Sequence, residues 1–216
     1  MSIPQLSGNT ELRSLTVVPL TQHLNVTAPA EVLGSIDSGV HEFFIGHRPG
    51  WLVDISKFLD TYGSSEMLLG VAIIVGLVWL VRARSSLLPL AVPVSVAVNA
   101  VAVAILKDVV SRERPEVSQQ LVEATSASLP SGHTASAAAL VASILTVRSL
   151  MSESQRRWTA LDIALITFAC VAGVARLVLG VHWLSDVLVG WLVGAAIGVV
   201  IAQLASKILA WRQSTN

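Results

Sequence analysis

Five apolar stretches, each close to the twenty or so residues that cross a hydrocarbon core, constrain this chain more than any other feature. They run over about 64 to 81, 87 to 106, 133 to 150, 160 to 180 and 183 to 206. Hydrophobic residues make up 53% of the 216, charged residues only 13%, and mean hydropathy is +0.70; a soluble domain carries about 25% charged residues. The expectation is an all-α, polytopic transmembrane helix bundle in one domain. Formal net charge is zero, so nothing points to nucleic acid. The lone cysteine, Cys170, excludes an internal disulfide and a cysteine metal cage; inside an apolar run it reads as buried packing.

Ahead of the spans the pattern changes. Residues 1–30 are polar and punctuated by Pro4, Pro19 and Pro29, which reads as a mobile arm with no cleavable signal peptide. Over 31–62, Val32, Leu33, Ile36, Val40, Phe43 and Phe44, then Leu52, Ile55, Phe58 and Leu59, recur at helical spacing, interrupted at Arg48-Pro49-Gly50. Two amphipathic helices at the membrane surface fit this, because Asp37, Glu42, Asp54, Lys57 and Asp60 are too frequent for hydrocarbon. The core then spans 63–207, with a cytoplasmic tail over 208–216.

Charge sets the orientation. Arg82 and Arg84, then Arg148, Arg156 and Arg157, then Lys207 and Arg212 flank one set of span ends, and the positive-inside rule makes that side cytoplasmic. The ends near Lys107, Pro130 and His182 face outward. This arrangement leaves an acidic N-terminal segment outside as well. In the last span Gly190, Gly194 and Gly198 form a small-residue seam, suited to packing within the bundle or to a homodimer.

Three polar clusters share the outward side. Lys107 to Pro115 (K-D-V-V-S-R-E-R-P) puts positive charge where the usual bias would not. Leu129 to Thr134 (L-P-S-G-H-T) offers Ser131 and Gly132 at a helix N-terminus, where orphan N–H groups favour an anion, with His133 beside them. Ala175 to Asp186 sets Arg176 before a turn at Gly180, and spaces His182 and Asp186 four apart on one helix face. Singly, each residue has an ordinary structural role: an arginine snorkels, a histidine or aspartate caps a helix end. Together they supply what phosphoryl transfer without a metal or other cofactor needs. Lys107, Arg114 and Arg176 would surround the nonbridging oxygens. His182 would attack phosphorus, oriented by Asp186, and His133 would act as acid and base. Arg112 reads as a solvated interfacial side chain, with contact to a second phosphate as the alternative. Glu113 pairs with a neighbouring base or faces water, and His23, His41 and His47 read as surface residues. The loop from Glu116 to Ser128 is placed to cover the site mouth and select head groups.

Lys107 followed after six residues by Arg114-Pro115, then Pro130-Ser131-Gly132-His133, then Arg176 followed after five residues by His182 and after three more by Asp186, resembles the three motifs of the type 2 phosphatidic acid phosphatase family, which shares its site architecture with vanadium haloperoxidases. The resemblance covers about Gly63 to Ser206. It implies a membrane lipid phosphatase passing through a phosphohistidine on His182, with Asp186 orienting it and His133 as acid and base. By the same resemblance Lys107, Arg114, Ser131, Gly132 and Arg176 bind the phosphate. Ala175 stands where the family usually has serine, and the family's commoner plan has six spans. The implied substrate is a lipid phosphate or a polyprenyl diphosphate such as undecaprenyl diphosphate, linked to cell wall biosynthesis. Phosphatidylglycerol phosphate, phosphatidate or a prenyl-linked sugar phosphate are the alternatives. The competing class is a noncatalytic bundle that binds or transports anionic lipid.

Overall fold

The computed structural model describes residues 28–83, 86–152 and 157–215, and among these the regular structure is all helix, without strands, with a long loop over 111–131. Two amphipathic helices lead: α1 (Ala28–Gly46) and α2 (Gly50–Tyr62). Five long apolar helices follow: α3 (Ser65–Ala83), α4 (Ala91–Val110), α5 (Gly132–Leu150), α6 (Ala160–Val178) and α7 (Leu184–Ser214). Each is long and apolar enough to cross a bilayer. Residues 1–27, with His23, and the arginines Arg84 and Arg156 lie outside the described residues.

Local chemistry explains the boundaries. Pro49, locked at φ −64°, caps α2 and separates it from α1. A turn of 3-10 helix over Leu88–Leu90 containing Pro89 leads into α4, and Ser111, at φ 48°, ends it in the left-handed region. The Thr159 and Asp162 side chains cap one another's backbone N–H groups and start α6. The sequence reading placed the core's end at 207 and a tail beyond it, but α7 continues as helix through Ser214. Residues 28–30, assigned to the arm, belong to α1.

In the middle of the bundle α5 lies against α7 on a backbone-to-backbone seam. A Cβ at Gly194 would stand 2.0 Å from the Ala135 carbonyl oxygen, one at Gly190 2.9 Å from that of Ser131, and one at Gly198 2.7 Å from that of Ala139. These glycines therefore pack on α5 within the chain, the first of the two uses the seam suits. The core around the seam is built from small residues of α5, such as Ala135, Ala137 and Ala139, and from Val92 and Val96 of α4 and Ala72 of α3. Cys170 is not part of it: the thiol sits on the exposed face of α6, a correction to the packing role expected from its apolar neighbours.

The antiparallel order brings the start of α3, the end of α4, the start of α5, the end of α6 and the start of α7 to one end of the bundle. There α1 and α2 lie, with apolar stripes exposed: Val32, Ile36 and Phe43 on α1, and Trp51, Ile55, Phe58 and Tyr62 on α2. In a bilayer such stripes seat a helix in the interface.

Candidate active site

Helix α6 ends just past Arg176, and the chain reverses through Gly180, at φ +71°, where a Cβ would also stand 2.8 Å from the Gln119 carbonyl oxygen. Leu184 then opens α7, so His182 lies in the turn and not on the helix with Asp186 as the four-residue spacing suggested. The contact forms all the same, at 3.3 Å from Nδ1 to Oδ2, because Asp186 folds back to accept the Trp183 backbone N–H at 2.9 Å. Both side chains are buried.

Asp186 is held on both oxygens. Oδ2 also accepts the Ser128 hydroxyl at 2.5 Å, and Oδ1 accepts Arg112 Nη1 at 2.6 Å. Arg112 in turn donates to Asp37 of α1 at 2.7 Å, and Asp37, 2% exposed, accepts the Ser185 N–H and hydroxyl at 2.9 and 2.6 Å. Arg112, half-buried, is thus paired with two carboxylates rather than left to solvent as the sequence suggested. Trp183 adds its ring beneath the Arg112 guanidinium, 5.8 Å away, and donates its indole N–H to the Glu113 carbonyl.

The hydrogen bonds around His182 agree on one tautomer. A carboxylate faces Nδ1, so that nitrogen carries the proton; Arg114 Nη1, which can only donate, lies 3.2 Å from Nε2, so that nitrogen offers its lone pair. Burial pushes the imidazole down to a pKa of about 3; the hydrogen bond to Asp186 opposes this, and the Arg176 and Arg114 charges reinforce it. At neutral pH the ring is uncharged.

The cations are arranged by a segment that carries no motif. Arg114 Nε donates to the Ser126 carbonyl at 2.7 Å and Nη1 to that of Val181 at 2.6 Å, while Lys107 Nζ reaches the Ala127 carbonyl and, at 3.1 Å, the Ser126 hydroxyl. Burial, with Arg176 nearby, pushes the Arg114 guanidinium below its usual pKa. Ser126, Ala127 and Ser128 therefore fix two cations and the carboxylate together. Sequence reasoning assigned this loop to the mouth; Glu123, Ala124 and Ser126 do line it.

These groups enclose a cavity of about 560 Å³. Lys107, Arg114, Gly132, His133, Arg176 and His182 all line it, alongside Asp60, Ser64, Ser65 and Glu66 and the apolar Ala100, Val103 and Ala104 of α4. Ser131, expected to bind the phosphate, sits behind the wall, as does Asp186, the expected orienter of His182. Asp186 is fully buried, as is Ser131, whose hydroxyl accepts from Thr134 at 2.9 Å while its N–H donates to the Asp186 carbonyl at 3.1 Å. Ala175, the departure from the family pattern, is buried in α6. At Gly132 a Cβ would meet only ordinary contacts, 3.7 Å to Ser65 Oγ and 3.8 Å to Val103, so packing does not demand the glycine.

Four participants carried no sequence signal as site residues: Asp60, Asp37, Ser126 and Ser128. Asp60 pairs with Arg176 and offers its carbonyl to His133 Nε2 at 3.0 Å. His41, expected at the surface, is 7% exposed and hydrogen-bonds Gln119 at 2.7 Å with its ring 5.3 Å from that of Trp183. It braces the loop because α1 folds over the turn. His47 is exposed, as expected. Among the described residues no three His, Cys, Asp or Glu side chains converge as a metal ion would require.

Comparison with known proteins places these observations. The PAP2 superfamily matches residues 88–209. Phosphatidylglycerophosphatase B of Bacillus subtilis (strain 168) is 28% identical over 183 residues, 83% of this chain and 88% of that protein. Two solved structures share the fold. One is a transmembrane PAP2-type phosphatidylglycerolphosphate phosphatase from Bacillus subtilis, with a TM-score of 0.68 and 23% identity, covering 87% of this chain and 90% of that one. The other is Aquifex aeolicus LpxE, with a TM-score of 0.58 and 22% identity, covering 77% and 94%.

Proposed function

From the premise that the chain belongs to the PAP2 superfamily and is a multi-pass membrane lipid phosphatase, we propose that it hydrolyses its lipid phosphate through a phosphohistidine on His182, at the outer face of the cytoplasmic membrane. The observation that carries this is the orientation of one imidazole. His182 presents an unprotonated Nε2 beside Arg114 at the cavity wall while Nδ1 is held by Asp186.

In the proposed reaction Nε2 attacks phosphorus in line with the leaving oxygen. The P–N bond forms as the P–O bond to the lipid breaks, and His133 gives its proton to the departing oxygen. Lys107, Arg114, Arg176 and the backbone N–H of Gly132 take up charge on the equatorial oxygens. Asp186 stabilises the positive charge that develops on His182. His133, now a base, draws a proton from water, which attacks phosphorus; the P–N bond breaks and inorganic phosphate leaves. A noncatalytic lipid-binding bundle would need cations but no oriented nucleophile.

The substrate we propose is a lipid phosphate or a polyprenyl diphosphate such as undecaprenyl diphosphate, as cell wall biosynthesis would require, with phosphatidylglycerol phosphate, phosphatidate and a prenyl-linked sugar phosphate as alternatives. The commitment of Arg112 to Asp37 and Asp186 weighs against a diphosphate, and the name of the Bacillus subtilis relative favours the phosphatidylglycerol phosphate alternative. The outward face is supported by Arg82, Arg148, Arg157, Lys207 and Arg212 at the far ends of the spans.

The test is release of inorganic phosphate by the purified protein in detergent with EDTA, across a panel of these lipids. Turnover of at least one, lost in His182→Ala and inhibited by vanadate, is expected. Release that survives His182→Ala would overturn the mechanism.

A further inference from the structure

Asp60 stands in the last turn of α2, where its carboxylate contacts Arg176 inside the cavity. The other groups are largely spent. Arg114 distributes its N–H groups over Ser126, Ala127, Val181 and His182. Arg176, 4% exposed, has Asp60 as its only ion-pair partner among the described residues, and its Nε is buried without any hydrogen-bond partner there. The same Asp60 lies against His133, with its carbonyl at 3.0 Å and its carboxylate at 3.5 Å from Nε2. One residue from outside the bundle thus occupies both a cation and a histidine of the cavity.

The outer face of α2 says where this happens. Trp51, Ile55, Phe58 and Tyr62 form an exposed stripe at helical spacing, which seats the helix among lipid head groups. Most of those head groups are phosphodiesters, each with a single negative charge. An uncovered set of three cations at that depth would hold them persistently.

We propose that Asp60 sets the charge threshold of the site: its carboxylate occupies Arg176 against bulk phosphodiester lipid and gives way only to a phosphoryl group carrying two charges. This rests on the reading of Arg176 as a phosphate ligand. A diester exchanging with the carboxylate replaces one negative charge by another and gains no net attraction. A terminal phosphoryl dianion gains an additional charge next to Lys107, Arg114 and Arg176. Asp60 is accordingly a specificity-determining residue, selecting terminal phosphates from the diester lipids that surround them.

The test uses the full chain in mixed micelles and the variants Asp60→Asn and Asp60→Glu. Calorimetry should find inorganic phosphate bound about tenfold tighter by Asp60→Asn. Turnover of Asp60→Asn should fall several-fold as phosphatidylglycerol replaces phosphatidylcholine in the micelle, while the wild type and Asp60→Glu respond alike to both lipids. Unchanged or weaker phosphate binding, or an equal response of Asp60→Asn and wild type to phosphatidylglycerol, overturns the proposal and leaves Asp60 as an orienter of His133. Should Asp60→Asn not fold, hydrogen exchange on the wild type decides: saturating vanadate should increase exchange in the last turn of α2, and protection or no change there overturns the proposal. Calorimetry needs no turnover, so a chain that hydrolysed no lipid phosphate would fail the functional reading and still answer this test.

Discussion

At the scale of single residues, three donors on Asp186 decide what His182 can do. Arg112, Ser128 and the Trp183 N–H fix the carboxylate, and the carboxylate then fixes the ring. Asp186→Asn should lower kcat by about 10² to 10⁴, since an amide facing Nδ1 favours the wrong tautomer. Asp37→Asn touches neither substrate nor histidine, and acts through Arg112 by leaving that guanidinium to pull on Asp186 alone. Its kcat should fall about 10-fold with KM nearly unchanged, and steady-state kinetics on a soluble short-chain substrate would separate the two constants. Acid stability is a second readout. The unfolded chain takes up a proton on His182 near pH 6.5 and the native chain only near pH 3. Between those values the unfolded state binds more protons, so stability must decline as pH falls through that window. Thermal unfolding in detergent from pH 7 to pH 4 should show the decline, and His182→Asn should flatten it.

At the scale of elements, the α5 and α7 seam holds the site's two halves in register, because Ser131 and His133 open one helix and Asp186 the other. Gly194→Ala would put a methyl group on the Ala135 carbonyl and should destabilise by about 1–3 kcal/mol, as overpacking does. Gly70→Ala, with nothing within 4 Å of its added Cβ, should be neutral or stabilising by up to about 1 kcal/mol. Paired thermal melts compare them. Most element boundaries were legible beforehand, because apolar run length and proline position act locally: the break at Pro49 and the start of α5 at Gly132 both follow from neighbouring residues. The end of α7 was not. Hydropathy stops reporting where Lys207 and Arg212 enter, while the helical hydrogen bonds continue to Ser214.

At the scale of the whole molecule, the proposed orientation rests on charge placed at one set of span ends. A reporter fused after Asn216 should be active only on the cytoplasmic side, and an outward reporter there would reverse the assignment of the site to the outer face. Apolar run length and proline and glycine positions already determined a helical membrane bundle, since each depends on residues close together in the chain, and the spacing within each of three short segments, around Lys107 and Arg114, around His133, and from Arg176 to Asp186, is what supports the proposed phosphate-handling end. What the charges pair with was decided only by tertiary structure. Arg112 meets Asp37 across 75 positions and Arg176 meets Asp60 across 116; no local pattern encodes such partners. Burial makes those pairings matter, because a charge removed from water must find an opposite charge wherever the fold delivers one.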